Sequence, residues 1–152
     1  MNSTFRLGRA DIVSLGIADL AKTAAQIAEN FPNVRQDEIL SAVTGAYGKE
    51  ATWSFNMALV RIGGAAILVD TGFGFADGGP GQSTAALLEE AATAPSEISS
   101  VVITHCHGDH IGGLLNENSQ SFPTAELVIS KQEHEFWMGG EAAERMGAEA
   151  AS

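Results

Sequence analysis

The chain has 152 residues, 45% of them hydrophobic and 18% charged, and its 19 acidic and 8 basic residues give a net charge of −11. This length and composition predict one globular domain with a proper core and argue against a disordered chain. The acidic excess disfavours binding to nucleic acid or to an anionic membrane, because phosphate groups would be repelled.

The cysteine content and the N-terminus bear on the compartment. Cys106 is the only cysteine, so no intrachain disulfide can form and no oxidising compartment is required. The opening residues, MNSTFRLGRADIV, lack the apolar core of a secretory signal. No stretch approaches the roughly 20 apolar residues of a membrane span. We therefore expect a cytoplasmic protein.

The first third of the chain predicts one strand and two helices. Residues 11–17 (DIVSLGI) are typical of a strand. Residues 19–30 are rich in alanine and predict a helix with Asp19 as its N-cap. Phe31-Pro32-Asn33 should end this helix. Residues 36–46 predict a second helix, because their apolar side chains recur at spacings that share one face.

Two paired strands are predicted next. Residues 53–62 alternate in character, residues 65–70 (AAILVD) are a continuous apolar run, and Gly63-Gly64 between them is typical of a hairpin. The glycine-rich residues 72–81 predict a loop. Residues 83–93 then predict an amphipathic helix, closed by Pro95.

The last third begins with residues 98–104 (ISSVVIT), whose β-branched side chains predict a strand buried on both faces. A short helix at 111–115, a strand at 126–130 and a helix at 132–138 are predicted after it. The tail from Glu141 is helical by propensity. Interleaved strands and helices of this kind predict a layered α/β (α+β) domain.

The segment THCHGDHIGG, residues 104–113, places four metal-capable side chains at the end of that strand. His105 and His107 are two positions apart, so an extended backbone puts both imidazoles on the same side. The glycine after them allows a turn that brings Asp109 and His110 to the same volume. Imidazole and carboxylate together suit borderline divalent metals, and two close ligand pairs suit two neighbouring ions.

Each of these residues also has a purely structural explanation. A single histidine at a strand end is often structural, and Asp109 is a plausible N-cap for the following helix. Four such residues at one strand end nevertheless favour a common cause, which is metal binding. Cys106 should point away from its flanking histidines, and we interpret it as a small core residue.

The same segment resembles the His-x-His-x-Asp-His signature of the metallo-β-lactamase-fold superfamily. The resemblance implies that His105 and His107 bind a first metal ion and that Asp109 and His110 bind a second. It also implies a cofactor of two Zn²⁺ ions per complete site, with Mn, Fe or Co as possible replacements.

A second motif supports this resemblance. LVDTG, residues 68–72, is similar to the family's earlier motif, in which a buried strand ends in an aspartate beside the metal site. The order of the two motifs, with a helix and a strand between them, also agrees with the family. By resemblance, Asp70 would support the site by orienting the ligands rather than by binding metal.

Three further stretches resemble one branch of the superfamily, the N-acyl-homoserine lactonases and methyl-parathion-hydrolase-like enzymes. They are FPNV (31–34), WSFNMALV (53–60) and EHEFW (133–137). In that branch an aromatic pair lies close to the active-site region, and Phe136 and Trp137 match its position. They are therefore candidates for the substrate pocket, with ordinary core packing as the alternative.

The resemblance covers nearly the whole chain but only about the first half of a family member. The family fold is an αββα sandwich of two similar halves, and its later half supplies two more histidines and a bridging aspartate. We therefore expect residues 1–152 to form a single domain, a mixed sheet with helices on one face, that is incomplete at its C-terminus. His134 lies where the family places no ligand, which favours a surface or packing role.

The resemblance implies a metal-dependent hydrolase of ester-like bonds, in which a hydroxide held by two metal ions attacks a carbonyl or phosphoryl centre. Asp109 would orient that hydroxide or accept its proton. A small-molecule lactone or other ester is the first substrate class, followed by organophosphate triesters. One alternative is an iron-dependent oxidoreductase of the same fold. The other is a non-catalytic half-fold that self-associates, for example as a homodimer.

Overall fold

The computed structural model describes residues 2–146, in which eight strands and six α-helices follow one another. The strands are β1 Ser3–Leu7, β2 Ala10–Thr23, β3 Glu50–Ile62, β4 Ala65–Val69, β5 Ile98–Ile103, β6 Leu115–Asn116, β7 Ser119–Gln120 and β8 Glu126–Ile129. The helices are α1 Ala24–Ala28, α2 Gln36–Tyr47, α3 Thr84–Glu90, α4 Gly108–Ile111, α5 Lys131–Met138 and α6 Glu141–Met146. Short 3₁₀ turns occupy Pro95–Glu97 and Gly112–Leu114.

Six of the strands form one mixed sheet in the order β1-β2-β3-β4-β5-β8. The β1/β2 and β3/β4 pairs are antiparallel, and the β4/β5 and β5/β8 pairs are parallel. The hairpin between β3 and β4 turns at Gly63-Gly64, both with positive φ, so that Ile62 pairs with Ala65. A two-residue turn of this kind needs glycine, as the sequence predicts. The mixed α/β fold is confirmed.

The hydrophobic core lies against one face of the sheet. Leu59 of β3 is opposite Leu68 of β4, which pairs in turn with Val101 of β5, and all three are at most 1% exposed. Val69 and Val102, on the other face, are only half-buried. This corrects the prediction that residues 98–104 are covered on both faces: the apolar run of β5 is fully buried on one face alone.

The chain divides into two compact units. The described residues of Met1–Ile17 and Asn56–Ser152 form one, and Ala18–Phe55 form the other. The second unit contains α1 and α2, which pack on each other, and the Gln36 side chain donates a hydrogen bond to the Ala28 carbonyl at 3.2 Å. The candidate site lies within the first unit. Among the helices of residues 2–146, none has the length and apolar character needed to cross a membrane.

The structure differs from the prediction most clearly around residues 19–30. The predicted helix is reduced to α1, because β2 continues to Thr23 in the sheet beside β3. Thr23, not Asp19, is the N-cap, and its hydroxyl accepts a hydrogen bond from the Gln26 N–H at 3.3 Å. Asp19 instead accepts a hydrogen bond from the Ser54 hydroxyl at 2.6 Å. Pairing with a neighbouring strand thus overrides the helical propensity of the alanines.

Smaller differences occur elsewhere in the chain. β1 was not predicted. Its five residues are all exposed, although Phe5 and Leu7 alternate with Thr4 and Arg6. The short helix expected at 111–115 begins earlier, as α4, and continues into the 3₁₀ turn Gly112–Leu114. The predicted helical tail is present as α6, and its part from residue 147 lies outside the described residues.

Candidate metal centre

The candidate site forms where β4 and β5 end side by side. Because these strands are parallel, their carboxyl ends meet at one edge of the sheet, which brings Asp70 next to Thr104. The Asp70 carboxylate accepts hydrogen bonds from the Thr104 N–H at 2.8 Å and the Thr104 hydroxyl at 2.9 Å. Asp70 is 6% exposed and has φ +61°, a conformation that aspartate tolerates better than most residues. The aspartate therefore ties the two strand ends together.

Asp70 also orients His110. Its second carboxylate oxygen lies 2.8 Å from His110 Nδ1. An ionised carboxylate only accepts hydrogen bonds, so Nδ1 donates, and a neutral His110 ring then carries its lone pair on Nε2. Nε2 lies 3.2 Å from the Asp109 carboxylate, on the side of the ring away from Asp70. A carboxylate that fixes the orientation of the ring, as Asp70 does for His110, is typical of metal-binding histidines.

The other two histidines meet each other. His105 Nε2 lies 3.1 Å from His107 Nδ1, so both imidazoles point to the same side, as their two-residue spacing predicts. The His105 ring also lies beside that of His110, with 3.9 Å between ring centroids. The predicted site residues are therefore brought together as two adjacent pairs, His105 with His107 and Asp109 with His110.

The spacing within each pair fits a shared metal ion. Two ligands bound about 2.0–2.1 Å from a tetrahedral ion lie roughly 3.3 Å apart. The separations of 3.1 Å and 3.2 Å are close to this value. Within residues 2–146, however, no three His, Cys, Asp or Glu side chains form a group that could hold an ion. The described residues thus offer two ligand pairs rather than a complete coordination shell.

The turn after His110 is locked onto the β4 end by close backbone packing. The Thr71 N–H donates to the His110 carbonyl at 2.7 Å, and the Gly113 N–H donates to the Thr71 hydroxyl at 3.2 Å. A Cβ atom at Gly113 would lie 2.1 Å from the Thr71 carbonyl oxygen, and one at Gly112 would lie 2.2 Å from the Phe73 carbonyl oxygen. The two glycines that close the motif are therefore required by packing.

Glu133 of α5 is a residue of the site that the sequence analysis missed. Its carboxylate accepts hydrogen bonds from the Cys106 N–H and from Trp137 Nε1, both at 3.0 Å. The Cys106 N–H, followed by Trp137 and the neighbouring His105 and His107, lowers the pKa of Glu133. The spacing of Glu133 and Trp137, four apart on a helix, was the available signal, but it does not reveal a contact with residue 106.

Cys106 itself is half-buried. Burial raises the pKa of its thiol, and the nearby Glu133 carboxylate raises it further. A thiol in such surroundings stays protonated and is a poor nucleophile or metal ligand. The sequence favoured a small core residue at this position, and the structure corrects this prediction: the side chain is only half-buried and lies outside the fully buried core.

The aromatic pair on α5 lies beside the histidines. The Trp137 ring is edge-on to the His107 ring, with 6.2 Å between centroids, and Phe136 packs edge-on against Trp137 at 5.4 Å. Both aromatic residues are half-buried. Trp137 therefore borders the His105–His107 pair, and Phe136 is connected to that pair through its contact with Trp137. His134, on the same helix, is exposed, as expected for a surface residue.

The fold is therefore a mixed sheet that gathers histidines and aspartates at the carboxyl ends of two parallel strands, β4 and β5. The family model of the Metallo-beta-lactamase superfamily matches residues 54–149, and the chain belongs to that superfamily. The match includes every residue of the His/Asp cluster as well as Asp70 and Glu133.

Three known proteins illustrate the similarity. Metallo-beta-lactamase domain-containing protein 1 of Mus musculus is 45% identical over 73 residues, which are 46% of this chain and 22% of that protein. The structure of AidC, a dizinc quorum-quenching lactonase, superposes with a TM-score of 0.75 at 28% identity, covering 90% of this chain and 47% of that one. The hydrolase AbOPH also superposes with a TM-score of 0.75, at 24% identity, covering 94% and 49%. The matched regions thus span about half of these solved chains and about a fifth of the curated relative.

Proposed function

We propose that the two ligand pairs bind two divalent metal ions, zinc first among them, and that the site serves hydrolysis of an ester-like bond. The main support is the spacing of 3.1 Å between His105 Nε2 and His107 Nδ1, which suits two ligands of one ion. The Asp109–His110 pair, at 3.2 Å, would hold the second ion. Manganese, iron or cobalt would suit the same donors.

When bound, the ions would supply Lewis acidity and a water molecule of lowered pKa. The residues of the chain would orient the ligands and accept the proton. His105 and His107 orient one side of the site, and Asp70 fixes the ring of His110 through the hydrogen bond to Nδ1. The Asp109 side chain is 25% exposed, so its carboxylate can accept a proton from the water that attacks the substrate.

A lactone is the substrate class that we propose. AidC, with 28% identity over most of this chain, is a dizinc lactonase. Trp137 presents aromatic surface beside His107, with Phe136 packed against it, and such a surface suits an uncharged acyl or ester group better than a charged one. The net charge of −11 disfavours polyanionic substrates. An uncharged organophosphate triester would satisfy the same features and is the second choice.

Metal analysis combined with a lactone-hydrolysis assay tests the proposal. The purified chain is titrated with Zn²⁺ against a chelating dye, and lactone ring opening is followed by proton release. We expect His105→Ala and His107→Ala to abolish most of the metal uptake and any turnover. His134→Ala, which removes an exposed histidine from α5, is the matched control and should change neither. Equal losses in all three variants would overturn the proposal.

A further inference from the structure

The segment that carries His105 and His107 is tied at its centre to α5. The Cys106 N–H, which lies between the two histidines, donates a 3.0 Å hydrogen bond to the Glu133 carboxylate. Successive side chains of an extended segment alternate, so the orientation of this one peptide group fixes the side to which both flanking imidazoles point. Glu133 therefore acts on the geometry of a ligand pair without belonging to it.

Glu133 is itself held in place from two directions. Trp137 Nε1 donates to the same carboxylate at 3.0 Å, one helical turn further along α5. The Ser130 hydroxyl caps the start of this helix by accepting a hydrogen bond from the Glu133 N–H at 3.1 Å. The Trp137 ring also stands edge-on to the His107 ring. One carboxylate and one indole thus connect the helix to both the backbone and a side chain of the histidine segment.

We infer that Glu133 is a positioning residue, which holds the 105–107 backbone so that His105 and His107 converge on one metal ion. Trp137 assists by aligning the Glu133 carboxylate and bordering the His107 ring. This inference rests on the proposed function, because it concerns the same ligand pair. The negative charge of Glu133 close to the two imidazoles also favours a cation between them.

The first experiment measures Co²⁺ affinity by dye competition, with the visible Co²⁺ spectrum as a report on ligand geometry. Loss of an outer-shell partner typically costs about 10–100-fold in metal affinity, and we expect Glu133→Ala to fall in this range. Glu133→Gln keeps an oxygen that can accept from Cys106, so it should recover most of the loss. Trp137→Phe should show a smaller loss than Glu133→Ala, because it removes one donor but keeps a ring.

The matched control is Glu135→Ala, which removes an exposed carboxylate from the same helix. The Glu135 carboxylate pairs with Lys131 at 3.5 Å, and Glu135 lies outside the histidine segment. We expect wild-type Co²⁺ affinity in this variant. A Glu133→Ala chain that binds Co²⁺ within about twofold of the wild type, or a Glu135→Ala chain that loses as much, would overturn the positioning role.

A second measurement needs no metal and separates the two proposals. Hydrogen exchange of the Cys106 amide in the metal-free chain should become at least about tenfold faster in Glu133→Ala, because that amide loses its acceptor. Glu133→Gln should restore slow exchange. If the wild-type chain takes up no Co²⁺, the proposed metal site is wrong. The exchange rate of the Cys106 amide would still show whether Glu133 holds that backbone segment. Unchanged exchange at Cys106 in Glu133→Ala would contradict the inference.

Discussion

The two ligand pairs rest on supports of different kinds. Asp109 and His110 are supported by the protein interior. The buried Asp70 binds the His110 ring, and Gly113, which follows in the same turn, packs closely against Thr71. His105 and His107 depend on the half-buried Glu133, which reaches them from a helix with no fully buried residue. One support is part of the folded core, and the other is a contact made at its surface.

This difference separates stability from metal geometry. A change to the interior support should destabilise the whole fold, because it disturbs buried backbone contacts. A change to the α5 support should cost little folding free energy, yet it should loosen the orientation of the His105–His107 pair. Variants of the interior support should therefore change the unfolding free energy, and variants of the α5 support should change the metal affinity. Their expected effects are given from the largest to the smallest.

The largest effect is expected for Gly113→Ala. The added Cβ would lie 2.1 Å from the Thr71 carbonyl oxygen and 2.7 Å from the Thr84 hydroxyl, both held in place by hydrogen bonds. Because backbone atoms must move, we expect a loss of about 3 kcal/mol in unfolding free energy, measured by urea denaturation. Gly108→Ala is the control, since nothing lies within 4 Å of its Cβ position. A Gly113→Ala chain as stable as Gly108→Ala would contradict the packing argument.

Asp70 variants come next and separate hydrogen bonding from backbone strain. Asp70→Asn can keep the φ of +61° but loses the charged acceptor shared by Thr104 and His110. Asp70→Ala loses every acceptor and adds the strain of a left-handed conformation. We expect losses of about 1 kcal/mol for asparagine and about 2–3 kcal/mol for alanine, measured by thermal and urea unfolding. Alanine no worse than asparagine would show that Asp70 does not tie the strand ends as described.

The interior support was the more predictable of the two from sequence. The residues that form it, Asp70 and His110, lie in two short motifs, LVDTG and THCHGDHIGG, and each motif is visible in a few adjacent residues. The β3–β4 hairpin was predictable for the same reason. Such signals need no knowledge of long-range contacts, because a two-residue period or a left-handed turn leaves its mark in adjacent residues.

The features that the sequence did not predict depend on contacts between distant residues. Glu133 lies 27 positions from Cys106, and only the placement of α5 brings them together. The extension of β2 to Thr23 likewise depends on β3, since its own alanines favour helix. In β1, the alternation of Phe5 and Leu7 with polar residues is short and every side chain is exposed, so the strand depends on its pairing with β2. Tertiary pairing, rather than local propensity, decides each of these cases.

Ser130→Ala tests the α5 support against a matched change elsewhere. Both Ser130 and Ser83 are N-caps whose hydroxyls accept a backbone hydrogen bond, at the start of α5 and α3 respectively. Losing either cap should cost about 1 kcal/mol of unfolding free energy. Only Ser130→Ala should also weaken Co²⁺ binding, by several-fold, because Glu133 follows that cap. Equal Co²⁺ affinities in the Ser130→Ala and Ser83→Ala chains would show that metal binding does not depend on the cap of α5.

Lys131→Ala should have the smallest effect, and it distinguishes the Glu133 contact from the general strength of α5. The Lys131–Glu135 ion pair spans 3.5 Å between side chains that are 81% and 63% exposed, so solvent screens it strongly. Its loss costs roughly 0.3–0.5 kcal/mol, and the higher helix propensity of alanine offsets part of that cost. We expect unfolding free energy within about 0.5 kcal/mol of the wild type and unchanged Co²⁺ affinity, measured by urea denaturation and dye competition. The pair spans one helical turn and faces solvent. We therefore expect its loss to leave the hydrogen bond between Cys106 and Glu133 unchanged. A clear drop in Co²⁺ affinity in Lys131→Ala would mean that the His105–His107 pair responds to the stability of the whole helix, and not to the hydrogen bond from Cys106 to Glu133.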